Sequence, residues 1–212
     1  MGPVSRMRLD MALAVGLVGC MAYPLIGGAW HEWLGTAVLA GALWHLGRNA
    51  GWFRALRRGC WRAPRILSTL LDGALCFVTL GLIVSSLMLS VHVFAFLPLD
   101  LPAGVGLTPH QVCAFWGFLL AALHLGQHGP MLRRTLAAQG LQPGRAVLAL
   151  ILAGGGVAFL LEGYGARLFL MTRAPLAGGW LVLAGNALLF AAVVTLGMGL
   201  RQLAAGAGKE NG

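Results

Sequence analysis

The chain alternates long apolar stretches with short polar breaks. Six stretches are long enough, at about 20 residues, to cross a hydrocarbon core of about 30 Å as helices. They fall near residues 10–28, 30–47, 66–97, 110–128, 146–169 and 180–200. The breaks are too short to hold a soluble module, so residues 1–204 read as one transmembrane domain and 205–212, "AGAGKENG", as a disordered tail. The expected fold is all-α, a polytopic bundle of six transmembrane helices. The first stretch follows Arg6 and Arg8 as a signal peptide would, but "GCMAYPLIGGAW" offers no small-x-small cleavage site and the segment reads as a retained helix.

Composition agrees: 58% of the 212 residues are hydrophobic and 10% charged, which is outside the range of soluble domains. The formal charge of +9 is explained by its distribution. With the N-terminus inside, the cytoplasmic segments collect thirteen Lys and Arg residues, and the other side has only Arg167 and Arg173. That asymmetry orients a six-span protein with both termini in the cytoplasm, in the cytoplasmic membrane of a bacterium. The basic partner it implies is anionic lipid, with no nucleic acid. Cys20, Cys60, Cys76 and Cys113 show no CxxC or CxxCH pattern, so neither a disulfide framework nor a c-type haem is indicated.

Ionisable groups within a membrane mark function by default. His31 and His45 stand fourteen residues apart in span two, and His110 and His124 repeat that spacing in span four. Fourteen residues are about four turns, so each pair shares a face and is separated by about 21 Å. Both spans run from outside to inside. His31 therefore matches His110 in depth near the outer face, and His45 matches His124 near the inner one. Two imidazoles on facing helices are what a six-coordinate haem iron needs. The reading is two b-type haems, one per leaflet, with His31, His45, His110 and His124 as iron ligands. A lone membrane histidine is more often a helix-to-helix hydrogen-bonding group; the repeated spacing outweighs that here.

Other residues acquire roles around this reading. Thr108 and Pro109 cap the start of span four. Gly35, Gly41 and Gly117 would let a flat macrocycle approach the backbone. Arg48, one turn after His45, pairs with an inner-haem propionate, and His128 makes a propionate or outer contact. His92 either replaces an outer ligand or lines the interface. Glu162 and Tyr164 accept protons from a quinol near the outer haem, or Glu162 pairs with Arg167. Asp72 answers the arginine-rich loop "RNAGWFRALRRGCWRAPR", itself an interfacial segment on the inner leaflet. Asn186 ties helices together, and Met88 and Met198 pack.

"PLIGGAWHEWLGTAVLAGALWHLGRNAGWF", "SSLMLSVHVFAFLP" and "HQVCAFWGFLLAALHLGQHGPML" resemble the flavinylation-associated cytochrome family. Its pattern is His-Glu-x-x-Gly opening a helix, a His at the far end, Asn-x-x-Trp after it, and a closing His-x-Gly-x-His. The likeness covers residues 7 to 132. It implies a membrane cytochrome, an electron-transfer subunit rather than a stand-alone enzyme, passing electrons between the cytoplasmic or quinone side and an extracytoplasmic flavin-binding redox protein. By position His31, His45, His110 and His124 inherit the ligand role and His128 the second His of the closing motif; His92 departs from the pattern. The spacing is also similar to that in respiratory cytochrome b, in geometry alone. The rival readings are a cytochrome b anchor subunit of another oxidoreductase, a metal transporter, which would need midplane carboxylates, and a structural membrane subunit.

Overall fold

A computed structural model describes residues 3–97, 102, 104–171 and 178–210. Arg173, counted above on the outer side, lies outside the described residues. Within them the chain is helical, with no strand.

The helices are α1 (Pro3–Met21), α2 (Tyr23–Arg48), α3 (Gly51–Ala55), α4 (Ala63–Leu89), α5 (Leu107–Gln127), α6 (Gly129–Ala137), α7 (Arg145–Leu161), α8 (Tyr164–Leu168) and α9 (Trp180–Glu210). Each expected stretch contains a long helix, with shifted boundaries. The first break falls at Ala22 rather than near residue 29, because Pro24 can open a helix there. The apolar run then continues through a kink at Gly27, whose φ of 75° suits glycine. The stretch 66–97 stops being helical at Leu89, and the stretch 146–169 divides at Gly163 (φ 63°) into α7 and α8. At its start α5 uses Gly106 as N-cap, with no side-chain cap, so Thr108 and Pro109 lie inside the first turn rather than forming it. "AAGAGKE" contains no proline, and α9 continues to Glu210.

The core lies between α5 and α9. Phe115, Phe118, Ala122 and Leu125 from α5 pack with Leu189, Phe190 and Val194 from α9. The two backbones come close enough that a methyl on Gly126 would stand 2.5 Å from the Val194 carbonyl oxygen and 2.8 Å from Gly197 Cα. Helix α7 packs on the far side of α9, and α4 packs on α5. Helix α2 is different: it packs chiefly on α1, stands back from α5 and buries none of its residues.

Two helical segments, Ala63–Leu89 and Trp180–Gly206, are long and apolar enough to cross a membrane. Helix α4 buries only Val78 and Ser85 and turns Leu70, Phe77, Leu80 and Val84 outward. A soluble protein would be expected to cover such a surface.

Candidate functional site

The gap between α2 and α5 is bridged by side chains at two levels. At one end the rings of His31 and His110 face each other with centroids 6.0 Å apart and planes at 72°. At the other end His45 and His124 do the same at 6.2 Å and 81°. All four are half-buried. The helix from His31 to His45 runs beyond the Gly27 kink, so its two imidazoles keep the separation of about four turns.

Each ring is held by its Nδ1. His31 Nδ1 lies 3.1 Å from the Cys20 carbonyl oxygen at the end of α1. His110 Nδ1 lies 3.4 Å from Ser85 Oγ and 3.5 Å from Ser86 Oγ. Ser85 spends its own proton on the Gly81 carbonyl at 2.7 Å, so it presents a lone pair to the imidazole. His124 Nδ1 lies 2.7 Å from Asp72 Oδ1. His45 Nδ1 is 2.8 Å from Asp10 Oδ1, an ion-pair contact made off the hydrogen-bonding direction. The Cys20 carbonyl and the Asp72 carboxylate can only accept. A neutral imidazole that donates from Nδ1 must leave Nε2 as a bare lone pair. The hydrogen bonds thus assign this tautomer to His31 and His124, the one a metal-ligating histidine adopts when an outer acceptor orients it.

The distances discriminate between ligand sets. With a metal–nitrogen bond of about 2.0 Å and a ring centre about 1.15 Å behind the nitrogen, imidazoles on opposite sides of one metal have centroids about 6.3 Å apart; at a tetrahedral angle the figure is about 5.1 Å. The observed 6.0 and 6.2 Å lie near the opposed arrangement. Among the described residues no group of three or more His, Cys, Asp or Glu could hold a metal ion alone. Two imidazoles at this separation could hold a metal only if its remaining ligands came from another group, such as a flat macrocycle.

Several expected roles change. His92 binds the carboxylate of Glu32, the neighbour of His31, instead of joining a pair. Its Nδ1 is 2.9 Å from Glu32 Oε1, and the same carboxylate accepts from Ser90 Oγ (2.7 Å) and from the backbone N–H groups of Val91, His92 and Val93. Glu32 therefore anchors the segment after α4. Asp72 answers His124 rather than the arginine loop, since one carboxylate inside the helices finds the nearest N–H. In the loop, Arg65 instead binds the carbonyls of Ala55 and Cys60 and lies over Trp61. Gly117 packs on Val78 and Leu82, and Gly41 on Leu13; of the three glycines only Gly35 has open space around it. Met198 packs on Gly129 and Met88 on Gly106.

Tyr164 is fully buried among Phe115, Phe118 and Phe159 and donates to Asn186 Oδ1 at 2.7 Å. It is a core residue closed to any quinol. Asn186 also donates to the Met21 carbonyl, tying α9 to α1 and α8 as expected of it. Glu162 is buried beside it, and Arg167 binds the Glu162 backbone carbonyl. Arg48 lines a small cleft with Leu9, His45 and Asn49, next to the inner pair. His128 is exposed, at the junction of α5 and α6, with its ring 5.0 Å from that of His124.

Asp10, Glu32 and the Ser85–Ser86 pair escaped the sequence reading. A signal was there: the chain has only six carboxylate residues, and Asp10 and Asp72 both fall at the depth of His45 and His124. No family model, curated protein or solved structure matches the chain.

Proposed function

We propose that the chain is a membrane-embedded b-type cytochrome that binds two haems and conducts electrons across the cytoplasmic membrane of a bacterium. It crosses six times, through α1, α2, α4, α5, α7 and α9, with both termini inside. The single observation that carries the reading is the meeting of His31 with His110 and of His45 with His124 at two levels, with ring centroids 6.0 and 6.2 Å apart. A scaffold or transporter gives no reason for two histidine couples to meet at the same spacing.

Bound haem supplies reversible one-electron chemistry. The chain supplies the rest. His31 and His110 hold the outer group and His45 and His124 the inner one. Asp10 and Asp72 raise the basicity of the inner ligands, while the neutral Cys20 carbonyl and Ser85 hydroxyl serve the outer ones. More electron donation lowers a potential, so this asymmetry favours electron flow from the inner site to the outer. Arg48 is positioned to meet a propionate. The outer acceptor would be an extracytoplasmic flavin-binding redox protein and the inner donor a quinol.

A pyridine haemochrome assay on the purified chain tests this, with two haems expected per polypeptide. His31→Ala and His124→Ala each lose one, and His92→Ala keeps both. A colourless preparation, or retention of both haems in either ligand variant, refutes the assignment.

A further inference from the structure

Opposite charges line one cavity at the inner end of the bundle without touching. The cavity, of about 360 Å³, lies between α3, the first turns of α4 and the last third of α9, and Arg201 and Asp72 stand on its wall with Trp52, Leu56, Ser68 and Thr69. Among the described residues every ion pair joins a histidine to a carboxylate, so no salt bridge closes Arg201 on Asp72. We infer that this cavity holds the headgroup of one anionic phospholipid, with its phosphodiester on Arg201 and its headgroup hydroxyls on Ser68 and Thr69. The inference rests on the membrane-crossing part of the reading above and needs no haem.

The walls select the ligand. Arg201 makes no hydrogen bond to the described residues, and its planar fork of N–H donors matches the oxygens of a phosphate. The other arginine on the wall, Arg65, binds the carbonyls of Ala55 and Cys60 and lies over Trp61, but its charge still acts on the cavity. Asp72 remains bonded to His124 and serves here only as a fixed charge. Two guanidinium groups against one carboxylate leave one positive charge in excess. A phosphodiester, with its single negative charge, matches that excess; free phosphate would press a second charge against Asp72. Ser68 gives its own proton to the Pro64 carbonyl at 2.9 Å, so its oxygen is left as an acceptor, and the Thr69 hydroxyl can do either. An acceptor has no use for a phosphate oxygen and suits the hydroxyls of a glycerol headgroup. An amine headgroup would make the lipid neutral overall and leave the excess charge unmatched.

The surroundings suit the rest of such a lipid. Ile66 and Leu70, on the adjoining face of α4, are turned outward, and the exposed stripe continues at helical spacing through Phe77, Leu80 and Val84, where acyl chains would lie. Trp52 supplies an indole at headgroup depth, where tryptophan is favoured. Arg133 and Arg134 on α6 are exposed, so their attraction to an anionic leaflet is general, whereas Arg201 is half-buried on a concave wall.

The test uses the full chain in detergent, exchanged against mixed micelles holding phosphatidylglycerol and phosphatidylethanolamine in equal amounts and read by native mass spectrometry. One phosphatidylglycerol per chain should remain bound, preferred about tenfold over phosphatidylethanolamine. Arg201→Gln, and Ser68→Leu, which fills the cavity, should each abolish that preference. Arg134→Gln, which removes the same charge elsewhere, should keep it. A thermal melt without lipid reports whether each variant is folded. On the unaltered chain, which needs no variant, phosphatidylglycerol with a diazirine on its headgroup should label residues 52–72 or Arg201. Equal retention of the two lipids, an undiminished preference in Arg201→Gln, an equal loss in Arg134→Gln, or labelling elsewhere would overturn the headgroup site and leave the membrane cytochrome standing. Displacement of the lipid by inorganic phosphate would give the cavity to the free anion and overturn it too. A chain released from membranes by an alkaline wash removes the membrane reading itself, and with it the site.

Discussion

Glu32→Gln tests a carboxylate that holds the segment after α4. Glu32 accepts five contacts between 2.7 and 3.2 Å: Ser90 Oγ, His92 Nδ1 and three consecutive backbone N–H groups. A hydrogen bond to a charged group is worth about 1.5–3 kcal/mol when buried. The Glu32 side chain is 18% exposed and His92 45%, so water takes over part of what is lost, and contacts sharing one acceptor do not add. Glutamine keeps one carbonyl oxygen but turns an NH2 group towards donors. The expected cost is about 2 kcal/mol for Glu32→Gln and about 3 kcal/mol for Glu32→Ala. Thermal unfolding in matched detergent, followed by helical signal, gives the first reading. Hydrogen exchange gives the decisive one, because the amides of Val91, His92 and Val93 should lose protection while those of α9 keep it. If those three amides remain as slow as in the parent, or if stability falls by less than about 0.5 kcal/mol, the anchoring role is wrong.

Two further outcomes follow from the packing. Tyr164→Phe strands Asn186 Oδ1 in the core and should cost about 1–2 kcal/mol in a thermal melt; an unchanged melt would show that this hydrogen bond does not hold the core. Gly126→Ala drives a methyl into the Val194 carbonyl and Gly197, both backbone, so α5 and α9 must separate. A loss of about 1–3 kcal/mol is expected, and since His124 lies half a turn away, the inner haem should be lost before the outer one. Equal loss of both, or neither, would show that the contact does not govern the inner site.

The histidine pairs were legible because helical geometry is strict: fourteen residues return to one face, so two equal spacings on neighbouring helices running the same way can meet at both levels. The helix starts were less so. At Tyr23 and Leu107 no side-chain cap marks the boundary, and the apolar pattern runs straight through the Gly27 kink. The outer acceptors were hidden for a different reason. Cys20 contributes a backbone carbonyl, which has no sequence signature, and Ser85 contributes a hydroxyl whose availability depends on where its own proton goes.

The inner acceptors repay a closer argument. Asp10 comes from α1, Asp72 from α4, and the rings they orient come from α2 and α5, so the inner level draws one group from each of four helices. A charged carboxylate inside the bundle is costly unless paired, and each is paired with an imidazole that is neutral when it serves as a ligand. The charge is therefore only partly compensated in the protein alone. On the proposed reading, a ferric porphyrin held by the inner pair would bring a positive charge that completes the compensation and is lost on reduction. The two carboxylates would then favour the oxidised form of such a group, and the site would be a good electron donor to the outer one, where the Cys20 carbonyl and Ser85 hydroxyl bear no charge.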